Sequence, residues 1–154
     1  VDGTAVTEWF DLITKETLEG NSKNLFTSAS SKPLTHLKIT LLPDGGIARF
    51  RAYGEVWVDE KQYKINGTNV ISKESGAKAI FANDEHFGSL SNVLEKHEPL
   101  SMADGWETRR RRKPGNDWGI IALSKPSTAE EVVVDTKFLK AIFQILFQYQ
   151  PSIH

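Results

Sequence analysis

The stretch PLTHLKITLLPDGGIARFRAYGEVWV, residues 33 to 58, limits what this chain can fold into more than any other. Leu37, Ile39 and Leu41 alternate with His36, Lys38 and Thr40, and after a turn Ala48, Phe50 and Ala52 alternate with Ile47, Arg49, Arg51 and Tyr53. An extended chain sends successive side chains to opposite faces, so each run builds one apolar and one polar face. Pro43-Asp44-Gly45-Gly46 between them supplies turn chemistry, and the two runs read as a β-hairpin.

Further strands are expected at DWGIIAL (117–123) and EEVVVDT (130–136), joined by the polar SKPSTA, and at AKAIFAN (77–83). VTEWFDLIT (6–14) reads as a short helix, because Trp9, Phe10, Leu12 and Ile13 fall on one side. Near the end, Phe138, Ala141, Ile142, Ile145 and Leu146 have helical spacing, which predicts an amphipathic helix over 137–148 or an apolar extension without one. Strand signals dominate, so the fold class is all-β, an antiparallel sandwich. The polar segment VDEKQYKINGTN with its Asn66-Gly67 turn reads as a linker.

Among 154 residues, 39% are hydrophobic and 25% charged, the balance of an ordinary globular chain. No cysteine is present, so disulfides and thiolate metal sites are excluded. No basic region followed by an apolar stretch marks a secretion signal in the first residues, and no apolar run is long enough to span a bilayer. The expected location is therefore the cytoplasm, away from any membrane.

DGWETRRRRKPGNDW, residues 104–118, carries the chemistry. Lysines and arginines number 19 against 20 aspartates and glutamates, and residues 104–117 hold five bases and three acids, a local excess of two. That is thin for a nucleic-acid reader, which depends on many phosphate contacts, and no nucleic-acid partner is expected. It is ample for one small carboxylate, to which a guanidinium offers a planar two-pronged donor. A strand through Glu107–Arg112 sends Arg109 and Arg111 to one face and Arg110 and Arg112 to the other. The alternative is a solvated run whose arginines pair with Asp104, Glu107 and Asp117. Trp106 and Trp118 either wall a pocket, stack on guanidinium groups or pack in the core. His86, flanked by Asp84, Glu85 and Phe87, is a candidate acid or metal ligand, although the spacing is not diagnostic of a metal, so metal and cofactor remain unassigned.

DGWETRRRR, followed by PGNDWGIIAL and VVVDT, resembles a signature of the allantoicase family. THLKITLLPDGGIARFRAYGEV and FANDEHFGSLSNVL resemble two others, and together the likeness covers roughly residues 5 to 138. It implies two similar repeats, each a jelly-roll sandwich of the galactose-binding type. Residues 1–57 then correspond to the end of the first repeat, 58–70 to a linker and 71–154 to the start of the second, with a tail that departs from the pattern at about 140. The chain resembles a fragment across the junction, either incomplete or with permuted halves. The implied activity is hydrolysis of allantoate, a carboxylate carrying two ureido groups on one carbon, to ureidoglycolate and urea in purine breakdown. The resemblance points to Arg109 or Arg111 for the carboxylate, with Trp106 and Asp104 beside the substrate. Glu107 or Asp117 is then the base or the holder of an arginine, and His86 a candidate acid. A homo-oligomer is expected, and the alternative is a catalytically inactive fragment or a sandwich that binds a small carboxylate without turnover.

Overall fold

A computed structural model describes residues 8–28, 30–56, 67–140 and 143–151. Eleven strands are present among them: β1 (Phe10–Leu18), β2 (Lys23–Thr27), β3 (Leu34–Leu42), β4 (Gly46–Ile47), β5 (Arg49–Gly54), β6 (Thr68–Asn69), β7 (Lys78–Ala82), β8 (Trp106–Glu107), β9 (Asp117–Ser127), β10 (Glu131–Asp135) and β11 (Phe143–Pro151). They form a five-stranded sheet in the order β1-β11-β3-β9-β7, a four-stranded sheet in the order β2-β10-β5-β6, and a two-stranded β4-β8 ribbon, all antiparallel. The two larger sheets face each other across one apolar core, as expected for an all-β sandwich. No helix among the described residues is long and apolar enough to cross a membrane.

The alternation in the sequence supplies that core directly. Leu37, Ile39 and Leu41 of β3, Ile145 and Phe147 of β11 and Ile121 of β9 line one side, all fully buried. Phe50 and Ala52 of β5 and Val132 and Val134 of β10 line the other. Across the gap the rings of Phe50 and Phe147 stack, 5.0 Å between centroids and 5° from parallel. A ring pair adds about 0.5–1.5 kcal/mol beyond the apolar area it buries.

The expected hairpin does not form. β3 pairs with β11 and β9, whereas β5 pairs with β10 and β6, so the Pro43–Gly46 turn carries the chain from one sheet to the other. The same correction applies to 117–123 and 130–136, which lie in β9 and β10 of opposite sheets. Period-two alternation fixes which face is buried, and a buried face is satisfied equally by a partner across the core. The strand expected at 77–83 is present as β7.

Neither expected helix forms among the described residues, which leave out residues 6 and 7 of the first. Leu12 and Ile13 are buried neighbours because the β1 register shifts around Ile13, and that bulge imitates helical spacing. In β11 the true period is two: Phe143, Ile145, Phe147 and Tyr149 are buried, and Gln144, Leu146, Gln148 and Gln150 alternate with them. Pairing with β1 on one side and β3 on the other makes this strand central, and tertiary contacts override the local preference. Residues 141 and 142 of the expected helix, and most of the expected linker at 58–70, lie outside the described residues.

Truncating Phe147 removes both the ring stack and a central part of the core. Phe147→Ala is expected to lower unfolding stability by about 3–5 kcal/mol in urea titrations. Gln144→Ala on the outward face of the same strand is expected to change it by less than about 0.5 kcal/mol.

Candidate functional site

Two distant turns meet at one end of the sandwich. Gly46 and Ile47 of β4 pair with Glu107 and Trp106 of β8. Beyond that ribbon, the Thr108 amide donates to the Gly45 carbonyl at 3.0 Å, and the Thr108 hydroxyl lies 3.2 Å from both the amide and the carbonyl of Gly45. The Asp44 carboxylate accepts from the Arg111 amide, and the Pro43 carbonyl from the Asp117 amide at 3.0 Å. The Pro-Asp-Gly-Gly turn therefore holds the arginine run by its backbone.

A third segment closes the site. Phe87 donates its amide to the Glu107 carbonyl, and the Glu107 amide donates to Gly88. The approach is so close that a Cβ on Gly88 would lie 2.2 Å from the Gly105 carbonyl oxygen, which only glycine accommodates. Trp106 is fully buried and donates its indole N–H to the Asp84 carbonyl at 2.9 Å.

The strand expected through Glu107–Arg112 ends at Glu107, so the separation of the arginines onto two faces does not hold. Arg109, Arg110, Arg111 and Arg112 all line one open cleft of about 670 Å³, with Asp84, His86, Phe87 and Asp117. A second cleft of about 700 Å³ lies beside it, bordered by the Pro43–Gly46 turn, Glu107, Met102, Leu139 and Lys140. Phe87, Arg110 and Arg111 border both.

Acids hold two of the arginines. Asp84 accepts from the Arg109 Nε at 2.8 Å and from the amides of Arg109 and His86 at 3.2 and 3.0 Å. Burial pushes the Asp84 carboxyl up, but these donors and the guanidinium charge outweigh it and leave the pKa below the ordinary aspartate value. Asp117, almost fully buried, accepts from Arg111 through Nε at 3.1 Å and also through Nη2. Asp117 thus holds Arg111 in place in this structure.

Glu107 is different. Its half-buried carboxyl has no hydrogen-bond or ion-pair partner among the described residues, and burial raises its pKa above the ordinary glutamate value. Such a group gains and loses a proton more readily near neutrality than a solvated carboxylate does. His86 is exposed, edge-on to Phe87 at 4.5 Å, and lines the first cleft. Asp84, Glu85 and His86 do not converge as metal ligands: Asp84 serves Arg109, and Glu85 accepts from Ser89 and from the Leu90 amide. No group of three or more such side chains capable of holding a metal occurs among the described residues.

Two residues expected beside the substrate, Asp104 and Trp106, do not line these clefts. Asp104 does not line the arginine-rich clefts; its carboxylate accepts from the buried Arg49 guanidinium at 2.8 Å and from the Leu100 amide. Trp106 belongs to the core; it reaches the site through its backbone pairing with Ile47 and its indole N–H to the Asp84 carbonyl. Trp118 likewise packs on Phe81, 5.0 Å between centroids, and not on a guanidinium. Sequence reasoning passed over Asp44 and the pairing of Asp84 with Arg109. The turn motif around Asp44 was the one signal for the former, since an aspartate there offers oxygens to any amide that comes close.

Carbon-detected NMR titration is expected to place the Glu107 midpoint above the ordinary value of about 4.3 and the Asp84 midpoint below about 3.9. In Arg109→Ala the Asp84 midpoint is expected to move upward. The stability that ionised Asp84 adds is present above its unfolded pKa and lost as pH falls through the depressed folded one, so this variant should lose less stability on acidification than the parent.

The profile described as the Allantoicase repeat matches residues 2–57 and 68–147. A probable allantoicase of Burkholderia mallei is 42% identical over 135 residues, covering 87% of this chain and 40% of that protein. Probable allantoicases of Ralstonia nicotianae and Photobacterium profundum are each 41% identical, covering 91% and 89% of this chain and 42% of each relative. The chain thus spans about two fifths of the length of the curated relatives it matches. No solved structure matches it. The profile accounts for both sides of the site, the Pro43–Gly46 turn and the arginine run alike, and the chain belongs to the allantoicase family.

Proposed function

We propose that the clefts around the Arg109–Lys113 run form an allantoate site and that the chemistry belonging to it is hydrolysis of allantoate to ureidoglycolate and urea. One observation carries this reading: a backbone-anchored cationic loop converges with a half-buried carboxyl whose pKa burial raises and that pairs with no other described side chain. Allantoate needs cationic groups for its carboxylate and a proton for its departing nitrogen, and the loop and Glu107 offer these. Arg109 and Arg111 form the cationic wall, fixed by Asp84 and Asp117, and His86 stands at its rim.

In the reaction the bond between the central carbon and one ureido nitrogen breaks. The electron pair leaves with that nitrogen, which takes the proton of Glu107 and departs as urea. A water oxygen bonds to the same carbon and gives up a proton to the Glu107 carboxylate, which restores the acid.

The profile matches in two pieces, and strands from the two pieces interleave in both sheets. This supports reading residues 1–57 as the end of one repeat and 71–154 as the start of the next, joined at 58–70 and complementing each other in a galactose-binding-type jelly roll with permuted strand order. The proposal includes a cytoplasmic location and self-association through exposed apolar side chains such as Leu25, Ile80 and Phe81.

Urea release from allantoate by this chain tests the activity. It is expected above the uncatalysed background, and Glu107→Gln is expected to lower it about 10²- to 10⁴-fold, the usual contribution of a positioned acid–base group. Allantoate binding without urea release would leave a carboxylate-binding sandwich in place of an enzyme.

A further inference from the structure

Four guanidinium groups border the first cleft, yet their electrostatic situations differ. Arg109 gives its Nε to Asp84 and Arg111 gives Nε and Nη2 to Asp117. Turning Arg111 toward a bound anion would leave Asp117, only 1% exposed, as a buried carboxylate without its partner, an arrangement proteins avoid. Arg112 and Lys113 are exposed and border the first cleft but not the second, where Glu107 lies. Lys140 borders the second cleft, but an ammonium is a point charge and lacks the planar fork that matches a carboxylate.

Arg110 borders both clefts and has no hydrogen-bond or ion-pair partner among the described residues. Its backbone is nonetheless well fixed, between Arg109, whose amide is bound by Asp84, and Arg111, whose amide is bound by Asp44. We infer that Arg110 is the residue that takes the carboxylate of the bound substrate, while Arg109 and Arg111 are structural cations; the inference rests on the allantoate reading above. The expectation from alternation is thereby inverted: the pair assigned to the substrate is neutralised by acids, and a member of the other pair is free. With the carboxylate held at Arg110, which lines the same cleft as Glu107, a ureido nitrogen on the adjacent carbon is directed toward that carboxyl.

Calorimetric binding of two probes separates the possibilities. Allantoate carries the carboxylate, and methylenediurea has the same two ureido groups on one carbon without it. Arg110→Ala is expected to weaken allantoate binding about 10- to 150-fold, the loss of a charge-assisted contact, and to leave methylenediurea binding unchanged. Arg110→Lys, which keeps the charge and loses the fork, is expected to fall between the parent and the alanine variant. Far-UV circular dichroism of both variants is expected to match the parent, because no described contact is removed. If the parent prefers allantoate to methylenediurea but Arg110→Ala does not reduce that preference, the assignment of Arg110 is overturned and the allantoate reading stands. If the parent binds neither probe, or both equally, the allantoate reading is overturned and the assignment with it.

Discussion

The insertion of β11 between β1 and β3 is the interaction on which the rest of the molecule depends. Without it β1 has no partner in the five-stranded sheet, β3 loses one of its two ladders, and Phe50 faces an empty site where Phe147 stacks. The strand qualifies for a central position because four of its side chains are apolar and buried at period two, while its outward positions are mostly glutamines. Burying both ladders of a strand satisfies all its backbone donors and acceptors, which an edge position cannot.

The candidate site is a by-product of how the sheets are joined. A turn that changes sheets leaves its own backbone free to pair, and the Pro43–Gly46 turn uses that freedom to clasp residues 106–111. Acids placed by separate segments, Asp84 in the loop after β7 and Asp117 at the start of β9, then select which guanidiniums are structural. Arg49, which is fully buried, is handled the same way, by Asp104 together with the backbone carbonyls of Ala48 and His97. Arginines in this fold are thus sorted by the acids they meet, and position along a strand has little to do with it.

The fold class was legible in the sequence because β3, β5 and the first half of β9 keep their alternation. Strand partners were not, since Leu37, Ile39 and Leu41 would present the same face to a hairpin neighbour or to a sheet across the core. β1 and β11 were misread as helices for two separate reasons: a bulge places Leu12 and Ile13 side by side, and Leu146 interrupts an otherwise polar outward row. At the site, the arginine run and Glu107 were visible as chemistry. Their assignment to faces failed because β8 stops after two residues and the following backbone is set by Asp44 and Gly45, more than sixty residues away in sequence. No local pattern reports a constraint that remote.

The antiparallel pairing of β1 with β11 sets Phe10 opposite Tyr149 and Leu18 opposite Phe143. A tension applied between residues 10 and 149 therefore falls on the rungs of that ladder one at a time, as in opening a zipper, and not on all of them together in shear. Under that load the first strand can peel away while β11 remains paired to β3.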